Sequence, residues 1–218
     1  MILKIYRKLK NLIIIGARGF GREVFNWAKH CKGYSTDWIL KGFLDDNSEA
    51  LDGFNYDLPI LDSVENYMVQ HDDVFFCALG DIGAKKKYIS IIREKGGKFL
   101  NLLHDAAIIN ENVEMGEGIL ICAFCGISNE VSIGDFVTIQ GYTSIGHDCE
   151  IGSWSNLHAF TSMGGYAKLE EEVTIFPKGS VLPKVVIGKG STVGAGSVVL
   201  KSVPPGVTVF GIPAKTIF

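Results

Sequence analysis

Long apolar runs are missing from this sequence. The stretch Leu12–Ile15 is far too short for a signal peptide or for a bilayer-spanning helix, which needs about 20 residues. An excess of one charge is missing too. Twenty-one Lys and Arg stand against 24 Asp and Glu, a formal net charge of −3. No long basic run exists, so a nucleic-acid-binding surface is not expected. The short cationic stretch Lys4–Lys10 reads as a solvated lead-in. Cysteines number five, an odd count that suits a reducing compartment such as the cytoplasm. Cys122 and Cys125 form a C-x-x-C, but Cys125 falls at an inward position and Cys122 at a corner of the pattern described next. A metal site is therefore not expected there.

What is present is a period. From Met115 to Val199 every sixth residue is aliphatic: Met115, Ile121, Ile127, and so on without a break through Ile187, Val193 and Val199. Neither a helix of period 3.6 nor an alternating strand keeps a period of six over this length. Two positions before most of these stands a small or β-branched residue, among them Val131, Thr143, Cys149, Ser155, Ala167 and Ser197. A spacing of two sends both side chains to one side of a strand. Each hexad thus buries one large and one small group. Glycine often follows the aliphatic (Gly116, Gly134, Gly146, Gly152, Gly164, Gly188, Gly194) and is expected to supply a corner with positive φ. Three hexads close an 18-residue triangular coil, and coils stack at about 4.8 Å. Phe124, Tyr142 and Phe160, eighteen apart, should form an exposed aromatic column serving as a subunit interface or as the seat of the front domain.

The front of the chain alternates strands and helices. Residues 11–15, Ile39–Leu44 and Val74–Leu79 read as strands. Helical patterns run from Arg22 to about Cys31 and from Asp81 to about Lys95, and a short strand is expected near Phe99–Leu102. This predicts a small parallel sheet with helices on its faces. The loop Gly16-Ala17-Arg18-Gly19-Phe20-Gly21 is G-x-x-G-x-G, not the dinucleotide fingerprint. It still offers backbone N–H groups and a helix N-terminus to an anion. Asp45 and Asp46 end the second strand, where open α/β sheets bind ligands, and could accept hydrogen bonds from a ribose or a base edge. Gly80 ends the third.

The hexads resemble the left-handed parallel β-helix of the hexapeptide-repeat acyltransferases. The order of glycine-loop α/β unit, solenoid and closing Gly211-Ile212-Pro213-Ala214-Lys215 is similar to bacterial nucleotide-sugar acetyltransferases of the PglD and sialic-acid O-acetyltransferase type. The resemblance implies residues 1–103 as a Rossmann-like nucleotide-sugar-binding domain. It implies 104–218 as a left-handed β-helix that binds acetyl-CoA and ends in a C-terminal tail. It further implies a cytoplasmic homotrimer with active sites between subunits, acting in surface-glycan biosynthesis. The substrate would be a UDP- or dTDP-linked amino sugar, expected to be a 4-amino-4,6-dideoxyhexose. It would be held by Gly16, Arg18, Gly19, Gly21, Asp45, Asp46 and Gly80.

His147 sits at a coil corner, with Gly165 one coil later and Asn129 one coil earlier, so it should project over a floor without a side chain. A neutral imidazole suits proton removal from an amine near pH 7. The family's general base matches His147, with Asp148 as its orienting partner. Cys149 is inward and poorly placed to carry an acyl group. Related enzymes often carry histidine where this chain has Asn156, so contact with the acetyl carbonyl is left between Asn156 and His158. Gly164, Gly165, Pro177, Lys178, Gly194, Ala195 and Gly196 match places along the acetyl-CoA path. An O-acetyltransferase would use the same base. A zinc enzyme of the hexapeptide carbonic-anhydrase kind needs three histidines, and only His147 and His158 lie in the solenoid, so no metal is expected. A non-catalytic nucleotide-sugar binder is the remaining class.

Overall fold

The computed structural model describes residues 8–217. They form two compact units, one up to Leu100 and one from Asn101. Most of the Lys4–Lys10 stretch lies outside the described residues. Lys8 and Lys10 both pair with Asp72.

The first unit is a five-stranded parallel sheet flanked by two helices. In chain order these are β1 (Lys10–Ile15), α1 (Gly19–Ala28), β2 (Trp38–Leu44), β3 (Ile60–Asp62), β4 (Asp73–Cys77), α2 (Ile82–Glu94) and β5 (Lys98–Phe99), with strand order β3-β2-β1-β4-β5. Leu12, Ile13 and Ile14 are fully buried, as a central parallel strand requires. Helix α1 buries Gly21, Val24, Phe25 and Ala28, the i, i+3, i+4, i+7 stripe of an amphipathic helix. It begins one turn earlier than its apolar pattern suggests, directly on the glycine loop. Asp81 caps α2, its Oδ1 accepting from the Ala84 N–H at 2.7 Å. Strand β3 was not foreseen. It is a three-residue edge strand following Pro59, too short to show a period. Leu102–Leu103, expected with the first unit, pairs with Leu120–Ile121 of the second.

The second unit is a parallel solenoid. Successive coils pair eighteen residues apart, as in Ile127 with Ile145 and Ile145 with Met163. Three stacks of two-residue strands form its faces. The first face carries Thr138–Ile139 and Asn156–Leu157, the second Ser144–Ile145 and Ser162–Met163, the third Glu150–Ile151 and Lys168–Leu169. The aliphatic series fills the core: every member from Ile121 to Val199 is buried. Each such Ile, Leu or Val contributes about 1.5–3 kcal/mol. Residues 208–216 end the unit in an antiparallel hairpin, Thr208–Gly211 against Ala214–Thr216.

The corners correct one expectation. Positive φ does not occur at the glycine after each aliphatic. It recurs every six residues two positions later, mostly at ordinary residues: Glu130, Phe136, Tyr142, Asp148, Trp154, Phe160, Tyr166, Lys178 and Lys184 all lie between +57° and +68°. A left-handed non-glycine residue costs about 1 kcal/mol. The conformation turns the N–H along the solenoid axis, where it bonds a carbonyl of the preceding coil. Asp148 reaches Asn129, Tyr166 reaches His147 and Lys184 reaches Gly165, at 3.0–3.2 Å. A net gain of about 1 kcal/mol per bond offsets the strain. The glycines after the aliphatics are small for a different reason. A Cβ at Gly116, Gly134, Gly146, Gly152, Gly164, Gly188 or Gly194 would lie 2.1–2.7 Å from the next coil or the tail.

Candidate active site

The first unit presents a cavity of about 420 Å³ at the carboxyl ends of β1, β2 and β4. Its lining brings together Gly16, Arg18, Gly21, Asp45, Asp46 and Gly80, six of the seven residues expected to bind substrate. Gly19, the seventh, opens α1 but does not line the cavity. Gly16 has φ +96°, and a Cβ there would meet Leu79 and Ala78. A Cβ on Gly21 would lie 1.9 Å from the Gly16 carbonyl oxygen. This glycine lets α1 close onto the loop. Among the described residues no side chain caps α1, and no acidic residue stands in its first turn, so its positive dipole end suits an anion.

The two aspartates differ. Both oxygens of Asp45 are engaged within the chain, Oδ2 by the Ala17 N–H at 2.9 Å and Oδ1 by the Asn47 N–H at 3.0 Å. Asp45 therefore fixes the glycine loop to the end of β2. Asp46 accepts from the Tyr88 hydroxyl, which that bond pushes up to about 12 in pKa. Tyr88 and Ala84 line the cavity from α2. They are four apart on one helix face, a spacing visible in the sequence although no motif marks it.

In the second unit, His147 stands on the edge between the second and third faces. Its Nδ1 lies 2.7 Å from Asp148 Oδ2, and the two side chains are 53% and 36% exposed. The left-handed backbone of Asp148 (φ +57°) lets adjacent residues face each other. The ring rests over Gly165, where a Cβ would come within 2.7 Å of Nε2. Tyr166 flanks it, ring centroids 5.2 Å apart and planes at 90°. Tyr166 was not singled out in the sequence, although it is eighteen after Asp148. In the tautomer whose Nδ1–H donates to the carboxylate, Nε2 is a proton acceptor. The Cys149 thiol is buried, donates to the Gly164 carbonyl at 3.2 Å, and is pushed up in pKa by desolvation.

The residues assigned to acetyl-CoA do not gather at that edge. Gly164 and Gly165 lie on it, with Gly164 packed against Pro183. Pro177, Lys178, Ala195 and Gly196 turn the edge between the first and second faces. His158 leads into that same edge. It stacks on Phe176 at 5.2 Å, and desolvation lowers its pKa. Asn156 points outward from the first face. Gly194 is covered by the ring of Phe210, which a Cβ there would meet at 2.4 Å. The aromatic column stands on the same edge as Pro177 and Lys178: Phe124, Tyr142 and Phe160 stack at 5.0 and 4.9 Å and are each more than half exposed. A groove of about 680 Å³ on the third face, crossed by Lys168–Glu150 and Lys189–Glu171 pairs, contains none of the assigned residues. Among the described residues no group of three or more His, Cys, Asp or Glu is arranged for a metal ion, and no helix is long and apolar enough to cross a membrane.

Comparison with known proteins supports the same reading. A family model described as the PglD N-terminal domain matches residues 11–92. The structure of WeeI from Acinetobacter baumannii AYE is 28% identical, covering 95% of this chain and 100% of that one, with a TM-score of 0.82. PerB from Caulobacter crescentus, solved with CoA and GDP-perosamine, is 25% identical over 97% of this chain and 99% of that one, TM-score 0.69. The acetyltransferase domain of PglB from Neisseria gonorrhoeae FA1090 shares the fold, with a TM-score of 0.86 at 24% identity, covering 95% and 100% of the two chains. Among curated proteins, a serine acetyltransferase from Buchnera aphidicola is 49% identical over 49 residues, 22% of this chain and 19% of that protein. The chain thus spans about a fifth of the length of the curated relatives it matches. Across both units it is similar to the hexapeptide-repeat nucleotide-sugar acetyltransferases of the PglD type.

Proposed function

We propose that this protein moves an acetyl group from acetyl-CoA to the amino group of a nucleotide-linked amino sugar, within the cytoplasm and toward surface glycans. The observation that carries the reading is the exposed imidazole of His147, tied at Nδ1 by Asp148 and open at Nε2. The amine attacks the thioester carbonyl carbon. His147 Nε2 takes the proton the amine must lose, and the tetrahedral intermediate collapses with release of the CoA thiolate, which takes that proton back from the imidazolium. Transfer is direct, because Cys149 is buried and spent on a hydrogen bond.

The front cavity takes the nucleotide. β1 and β4 flank the crossing point of the strand order, where open α/β sheets bind ligands, and the Rossmann-like reading of this unit rests on that. Gly16, Arg18, Gly19 and Gly21 present the start of α1 to the diphosphate, while Asp46 and Gly80 border the nucleoside and Asp45 holds the loop. The solenoid winds left-handed, as in the resembling family. The residues assigned to the donor are divided between two edges of one chain. A homotrimer, placing one edge of each copy against the other edge of its neighbour, makes a single site of them. There Asn156 or His158 would meet the acetyl carbonyl, and Lys178 the CoA phosphates.

The test has two arms. UDP-, dTDP- and GDP-linked amino and hydroxy sugars are screened by thermal shift, then thiol release from acetyl-CoA is followed with the best binder. An amino sugar is expected to be acetylated, and His147→Ala to lower kcat about a thousandfold with the sugar still bound. Unchanged kcat in that variant removes His147 as base. Transfer only to hydroxyl groups replaces N- by O-acetylation.

A further inference from the structure

We propose that Tyr166 is a positioning residue for the reaction, holding the His147 imidazole edge-on so that Nε2 stays directed at the acceptor. This rests on the reading of His147 as the base. The imidazole is restrained at three points. Asp148 holds Nδ1, Gly165 lies beneath the ring, and Tyr166 flanks it in a perpendicular ring contact. Of the three, the Asp148 bond fixes the proton and one edge of the ring, and Gly165 leaves room. Tyr166 adds a wall on the ring's flank that opposes swinging of the imidazole about that one bond. A histidine at an exposed corner otherwise has several staggered positions open to it.

Local geometry speaks against a role in stability. Tyr166 adopts φ +62°, a region that disfavours a large side chain. The residue is 54% exposed and is not part of the core. Its hydroxyl has no hydrogen-bond partner among the described residues. What it does have is a fixed relation to the base. Its N–H donates to the His147 carbonyl at 3.0 Å, so the two residues move as one piece of backbone. A strained, exposed aromatic that stabilises little but cannot drift away from the imidazole is suited to orienting it. A displaced base loses rate rather than affinity, because only the transition state requires the alignment.

Three variants separate the possibilities. Tyr166→Gly removes the ring and relieves the left-handed strain. Its melting temperature is expected to equal or exceed that of the parent, while kcat falls about tenfold and the KM for acetyl-CoA stays within about twofold. Tyr166→Phe keeps the ring and is expected to retain kcat within about twofold. His147→Ala is run beside them. Loss of kcat in Tyr166→Gly accompanied by a lower melting temperature assigns the tyrosine to stability and overturns the proposal. So does full activity in Tyr166→Gly, or a loss in Tyr166→Phe as deep as in Tyr166→Gly, which would move the role to the hydroxyl. If His147→Ala is itself fully active, the identity of the base fails, and with it the ground of this inference.

Discussion

Glycine does opposite work in the two units. In the first, a left-handed backbone and close approach coincide at the ligand loop: Gly16 has φ +96° beneath Ala78 and Leu79, and Gly21 admits α1 onto the loop. At most solenoid corners the two demands are parted; Gly118, with φ +67° and the Phe136 ring 2.4 Å from a Cβ, is an exception. Left-handed corners are filled by Asp148, Trp154, Tyr166 and Lys184, while the glycines two positions before the first three are needed only for space. The first unit bends without a ladder to share the strain, so it relies on the residue that bends freely. The solenoid repeats one hydrogen bond at each bend, and that bond lets ordinary side chains occupy the corner. Functional groups can therefore stand at solenoid corners, as His147 and Asp148 do, whereas the front loop offers mostly backbone.

This contrast can be strained at four points, from the largest effect down. Gly21→Ala places a Cβ 1.9 Å from the Gly16 oxygen. It is expected to cost about 3 kcal/mol and to abolish nucleotide-sugar binding. Hydrogen exchange on the full chain should show the loss confined to residues up to Leu100. Gly152→Ala meets the Glu170 backbone at 2.5 Å and should cost about 2 kcal/mol in the solenoid, read from its denaturant midpoint, although its backbone is not left-handed.

The third concerns buried charge. The first unit encloses Lys85, 1% exposed, whose pKa burial pushes down to about 8 from 10.5. The buried polar groups of the solenoid are hydroxyls such as Thr143, Ser155 and Ser197. Between about pH 8 and 10.5 the unfolded chain binds more protons at Lys85 than the folded one. Stability of the first unit should therefore rise with pH across that window, with the penalty at full size below it. Lys85→Met is expected to remove the slope and to stabilise that unit by about 2 kcal/mol at pH 7. A stability profile unchanged by the substitution would clear Lys85 of the effect. The smallest effect is Lys184→Gly, at φ +64°, expected to raise the solenoid's midpoint by the equivalent of up to about 1 kcal/mol.

The sequence spoke unevenly about the two units. The hexad period was legible because identical coils repeat one inward pattern, and it placed His147 over Gly165 by simple addition. It could not show which corner residue carries the positive φ, since that depends on a hydrogen bond between coils and not on residue type. In the first unit β1, β2 and β4 showed as apolar runs. Strand β3 did not, because Ile60–Asp62 is too short to carry a pattern. Asp45 and Asp46 looked equivalent side by side. Only the fold shows that Asp45 is consumed by the Ala17 and Asn47 amides while Asp46 meets Tyr88.

The eighteen-residue coil also makes the solenoid addressable. A whole inserted coil would shift everything beyond it by about 4.8 Å along the axis and leave each side chain on its own edge. Six inserted residues would instead carry His147 a third of the way around, onto a different edge altogether. Lineages that lengthen such a scaffold can thus tune how far a base stands from its substrate in discrete steps, provided they add residues in eighteens.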